Sequence, residues 1–188
     1  FSPLPGLTFR ESLYNGVASD RINRQFRFCP RSDGMFNIGS LSYHIGEEDR
    51  HHGYYAVGYA LGSSPSETSA DKTFNYALWT LIEQPLLHIG ESHLGAMWQG
   101  GTSPASRSTC RHYWGAGLIW SNIPPRMTQV GLVVNRALYA DGRETDVELT
   151  GSFPVCNHFT LQPAVHCINT SGNYTAAAQL RAILEFGN

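Results

Sequence analysis

Along most of this chain apolar and polar side chains alternate one by one, and clusters of Gly, Pro, Asn, Asp or Ser interrupt the alternation about every ten residues. A period of two places successive side chains on opposite sides of an extended backbone, so each stretch reads as a strand with one apolar and one polar face. Roughly ten such segments are predicted, and none carries a convincing helical period. Between 112 and 122, Trp114, Ala116, Leu118 and Trp120 form an apolar row against the small Gly115 and Gly117, and Pro124-Pro125 ends the strand. Val130, Leu132 and Val134 then share a face. The segment 143–151 alternates most cleanly, with Glu144, Asp146 and Glu148 on one side and Thr145, Val147 and Leu149 on the other. Phe159, Leu161, Pro163 and Val165 oppose His158, Thr160, Gln162 and His166. A turn at Ser171-Gly172-Asn173 leads to a last strand, in which Ala176, Ala178, Leu180, Ala182, Leu184 and Phe186 oppose Gln179, Arg181 and Glu185. Segments 35–45, 53–62, 74–84 and 87–100 follow the same rule with more interruptions. The polar, Ser/Thr-rich stretches 63–72 and 100–111 are long enough for exposed loops, and long and short connections are mixed along the chain.

Composition sharpens this picture. Charged residues are 15% of the 188, against roughly 25% in ordinary soluble proteins. Glycines (19) and aromatics (12%) are plentiful, which suits a turn-rich, all-β chain. No composition shift marks a linker, so residues 1–188 are read as a single domain. A net charge of -2 without any run of Lys or Arg argues against nucleic acid as partner. No stretch approaches the roughly 18 apolar residues of a membrane-spanning helix.

Two features favour a wet polar face over a dry one. Three carboxylates at successive positions of one face, Glu144, Asp146 and Glu148, would each cost several kcal/mol in a dry core but are tolerable in a water-filled lumen. Aromatics near strand ends (Tyr54, Tyr55, Trp79, Trp98, Tyr113, Trp114, Trp120 and Phe186) suit the interfacial girdles of an outer-membrane barrel. The expected fold is therefore an antiparallel up-and-down transmembrane β-barrel, whose sheet must close because an open edge in lipid leaves backbone groups unpaired. The alternative is a secreted soluble β-barrel, stapled by disulfides among Cys29, Cys110, Cys156 and Cys167, that binds a small ligand as lipocalins do. The two place the Trp114 to Trp120 row on opposite sides: toward lipid in the first, inside a core in the second.

From Phe74 onward the motifs also have a family order. Phe74-Asn75-Tyr76-Ala77-Leu78-Trp79 with Glu83-Gln84 is followed by Leu94-Gly95-Ala96-Met97-Trp98-Gln99-Gly100-Gly101-Thr102-Ser103-Pro104. Next come Trp114-Gly115-Ala116-Gly117-Leu118, Ile123-Pro124-Pro125-Arg126 and Val130-Gly131-Leu132. The last pieces are Glu144-Thr145 with Glu148-Leu149, Leu161-Gln162-Pro163, and Leu180-Arg181-Ala182 with Phe186. This ordered set resembles the carbohydrate-selective porin family of Gram-negative outer membranes, the OprB type, and 37–62 continues the likeness more faintly. The chain departs from the family at Thr128-Gln129, where an Asp is usual, at His166-Cys167, where Gln and an aromatic are preferred, and at Gly187-Asn188, which follow the terminal Phe. The resemblance implies a barrel of about sixteen strands in chains about twice this length. The expectation is accordingly the C-terminal half of a longer porin, or a shortened barrel built from the same strands.

The function expected is diffusion of small uncharged solutes, sugars in particular, across the bacterial outer membrane. Carbohydrate solutes and outer-membrane lipid are the expected partners, and assembly into a homo-oligomer is compatible with the sequence. Such a pore needs hydrogen-bonding groups that exchange with a solute's hydration shell, and no catalytic group or cofactor. The candidate lumen wall is Trp98, Arg126, Glu144, Asp146, Glu148, Gln162, Gln179 and Arg181, with guanidinium groups facing carboxylates across the lumen and Trp98 stacking on sugar rings. Glu144 and Glu148 would be about 13 Å apart on a strand, too wide for a glycosidase pair. His51-His52, and His88 with His93, lack a recurrent metal-ligand spacing, and Ser92-His93 lies outside a nucleophile elbow.

Overall fold

The computed structural model describes residues 4–16, 29–46, 53–65, 72–104, 106, 108–124 and 127–185. Ten strands follow one another: β1 (Leu7–Asn15), β2 (Met35–Ile45), β3 (Gly53–Pro65), β4 (Lys72–Ile89), β5 (Ser92–Thr102), β6 (Cys110–Ile123), β7 (Met127–Tyr139), β8 (Arg143–Cys156), β9 (Phe159–Thr170) and β10 (Asn173–Leu184). One helical turn, α1 (Pro30–Asp33), stands between β1 and β2. Every strand pairs antiparallel with its neighbour in sequence, giving one ten-stranded meander. The all-β, up-and-down reading therefore holds. The sheet itself is open, with β1 and β10 as its two edges.

Local chemistry accounts for the boundaries. β2 coincides with the alternating segment 35–45. β4 runs past the 84 expected from the sequence and through Pro85, which has no N–H for the ladder; the register shifts between Pro85 and Leu87 to accommodate it. The stretch 87–100, read from the sequence as one segment, is divided, because Gly90 at φ 62° makes a two-residue turn with Glu91 and β5 starts only at Ser92. β1 escaped the sequence reading because Glu11 breaks its row of Leu7, Phe9 and Leu13. Long and short connections are mixed, as the sequence suggests. Of the turns described in full, 90–91 and 157–158 lie at one end of the sheet, and 140–142 and 171–172 at the other.

The register converts alternation into two continuous surfaces. From edge to edge, Leu7, Tyr43, Tyr55, Ile82, Trp98, Ala116, Val134, Val147, Cys167 and Ala176 are successive cross-strand partners, a row without a charge across all ten strands. Beside it Leu118, Leu132, Leu149 and Val165 are partnered in turn and are 47%, 49%, 55% and 57% exposed. The charges on this face include Glu11, Arg136 and Arg143, toward the end of the sheet where β1 finishes and β8 begins. Glu11 accepts hydrogen bonds there from Tyr59 (3.0 Å) and from Asn37. On the opposite face the partners Gln99, Gly115, Asn135, Asp146 and Ile168 are only partly exposed or buried. Neither face is a protein core: among the described apolar residues only Ala56 and Ala164 are buried, and no large side chain is fully buried.

Candidate functional site

The more enclosed polar face carries the candidate chemistry, and β8 is its centre. Strict alternation points Glu144, Asp146 and Glu148 onto this face, each partly buried. β9 answers them in register: Thr170 opposite Glu144, Ile168 opposite Asp146 and His166 opposite Glu148. Thr170 Oγ1 donates to Glu144 Oε2 at 3.2 Å. His166 Nδ1 lies 3.2 and 3.3 Å from the two Asp146 oxygens, with the two side chains 19% and 21% exposed. Among the described residues no Lys or Arg pairs with any of the three carboxylates; Thr170 and His166 are the side chains hydrogen-bonded to them.

Toward β5 the polar belt continues without charge. Tyr113 on β6 donates to Asn135 Oδ1 at 2.8 Å, and Gln99 Nε2 on β5 donates to the Tyr113 hydroxyl at 2.5 Å. Gly115 makes this crossing possible. A Cβ there would sit 2.4 Å from Asn135 Oδ1 and 2.9 Å from Gln99 Nε2, so any side chain would push the amides apart. Further along, Trp79 of β4 lies on Gly58 of β3, whose Cβ would come within 2.3 Å of the indole ring. Trp79 is thus an aromatic platform on the polar side. Arg10 of β1 belongs to the same register row as Trp79, Tyr113 and Glu144, at the far side of the sheet.

Of the candidate wall residues, six share this face. Glu144, Asp146 and Glu148 stand together on β8; Gln162 of β9 and Arg181 of β10 are partners, with Arg181 Nη1 donating to Gln162 Oε1 at 3.4 Å; Gln179 is opposite Ala164. Arg181 lies along the same side of the sheet from the carboxylates rather than across from them, two strands away. Trp98 is set apart from the six. Its parity puts it on the apolar face, where it stacks on Trp114 at 5.9 Å with ring planes 9° apart. Its neighbour in sequence, Gln99, is on the polar face. Arg126 lies outside the described residues. Three aromatics assigned to girdles, Tyr54, Trp79 and Tyr113, are on the polar face, because each is in register with polar-face residues such as Glu83, Gly101 and Ala137; Phe186 lies outside the described residues.

Gln99, Tyr113, Asn135, Trp79, His166 and Arg10 share the polar face and are not among the candidate wall residues that single segments point to. Parity counted from Glu144 through the hairpins would have found them, but only with the register known. All four cysteines are free, Cys29 and Cys110 partly buried and Cys156 and Cys167 exposed. No family model, curated protein or solved structure matches this chain.

Proposed function

We propose that this sheet is the wall of an outer-membrane pore through which small uncharged solutes, sugars foremost, cross by diffusion. The observation that carries the reading is sidedness: uncharged rows of exposed Leu, Val, Trp and Tyr run over one face of all ten strands, while carboxylates, amides, a phenol and an imidazole share the other. Hydrocarbon accepts the uncharged rows of the first face, and water the second face.

Closure is then a requirement. Along the open edges of β1 and β10 about half of the backbone N–H and C=O groups have no partner, and in lipid this adds up to tens of kcal/mol by order of magnitude. The edges therefore join each other or further strands before the sheet meets hydrocarbon. Arg10 shares the polar lining with the β8 carboxylates, seven strands away through the sheet, and opposite charges on one lining supply the field that a polar pore uses to orient solutes. Trp79 supplies a flat apolar surface for a sugar ring, and Gln99, Tyr113 and Asn135 supply exchangeable hydrogen bonds. No step of this function asks for a catalytic group.

The soluble, disulfide-stapled alternative is disfavoured by the free cysteines and by apolar rows that face outward. The deciding experiment is conductance of the purified protein in planar bilayers. Stepwise channels that are blocked by millimolar sugars support the proposal; absence of channels from a protein that stays soluble without detergent overturns it.

A further inference from the structure

We propose that Asp146, Glu148 and His166 form a binding site for a divalent transition-metal cation of the zinc type. The three side chains come from adjacent strands of one face: Asp146 and Glu148 two apart on β8, and His166 on β9 as the direct partner of Glu148. One donor atom from each lies within 4.8 Å of the other two, and all three residues are partly buried. Donors around a tetrahedral zinc are about 3.3 Å apart, so rotamer adjustments of an ångström or so, with no movement of the ladder, bring them into place. The donor chemistry selects the ion. An imidazole nitrogen favours zinc, nickel or copper over calcium or magnesium, while two carboxylates cancel the charge of a divalent cation. Three protein ligands leave a position for water.

An ordinary His–Asp contact accounts for only part of the arrangement. Even a protonated imidazole would offset one of the negative charges of Glu144, Asp146 and Glu148, and among the described residues no Lys or Arg pairs with the rest. Sequence spacing did not reveal the trio because its members meet across a hairpin, Glu148 and His166 being 18 positions apart. The inference rests on the sheet register and the side chains, and holds whether or not the sheet encloses a pore.

The test is titration of the folded full-length chain with zinc chloride, read by calorimetry and by competition with a chromophoric chelator, on wild type and on Asp146→Asn, Glu148→Gln and His166→Gln. Substitutions in the outer shell of metal sites typically cost ten- to hundredfold in affinity, so removal of a direct ligand is expected to cost at least a hundredfold. One equivalent of zinc, weakened to that degree in each variant and undisturbed by equal calcium, is the expected result. The near-isosteric changes preserve the fold, which circular dichroism verifies, and if one variant fails to fold the other two decide. Absence of saturable binding, zinc bound equally by His166→Gln, or displacement by equal calcium would each overturn the site.

Discussion

Replacing Leu132 by Arg separates a membrane wall from a soluble sheet by a margin large enough to measure. Leu132 sits mid-strand on β7, between Leu118 and Leu149 in the apolar row, and is 49% exposed. If the exposed half meets hydrocarbon, an arginine near the bilayer midplane costs about 2–4 kcal/mol, a factor of about 30 to 800 in the folding equilibrium. If that half meets water, the same substitution stays within about 0.5 kcal/mol, as surface changes usually do. The adjacent Val133 provides the internal comparison. It points to the polar face opposite Glu148, with the small Gly117 beside it, so Val133→Arg gains a cross-strand charge pair of about 0.2–1 kcal/mol. Urea-dependent folding into lipid vesicles, followed by tryptophan fluorescence, reads both. Leu132→Arg should fold poorly and Val133→Arg about as well as wild type. Equal stability of Leu132→Arg and wild type, or a larger loss for Val133→Arg, would refute the reasoning.

Three further outcomes follow from the same geometry. Gly115→Leu forces Gln99 and Asn135 apart and should destabilise by about 1–3 kcal/mol, with lower single-channel conductance; an unchanged pore would mean that the amide crossing does not line it. Trp79→Ala should raise the sugar concentration for half-block about fivefold, equivalent to about 1 kcal/mol, while Trp98→Ala leaves block unaltered; the opposite pattern would return Trp98 to the wall. Neutralising Glu144, Asp146 and Glu148 together should move the zero-current potential in a salt gradient toward anion preference, an effect that fades near 1 M salt, where the screening length is about 3 Å; no shift would place these carboxylates away from the ion path.

How far the sequence carried the structure depended on what each residue could signal alone. Alternation identified β2 to its ends and the two faces of β8, since a period of two is a local property. It missed β1, where Glu11 occupies the apolar side, and it merged the end of β4 with β5, where a glycine turn needs only two residues. Sidedness across strands was harder. Trp98 and Gln99 are neighbours in sequence and on opposite faces, and residue type alone does not say which of the two shares the face of Glu144. The His166 trio and the Gln99–Tyr113–Asn135 crossing depend on register, which no single segment encodes.

The central claim is that one face meets hydrocarbon and the other meets water, and it can be read directly. With Cys29, Cys110, Cys156 and Cys167 replaced by serine, Leu132→Cys, Val133→Cys, Leu149→Cys and Thr150→Cys are each labelled with a fluorophore in lipid vesicles and exposed to lipid-borne and to aqueous quenchers. The account predicts quenching at 132 and 149 by acyl-chain nitroxides and at 133 and 150 by iodide. Equal access of iodide to all four positions, or the inverse pattern, would contradict it.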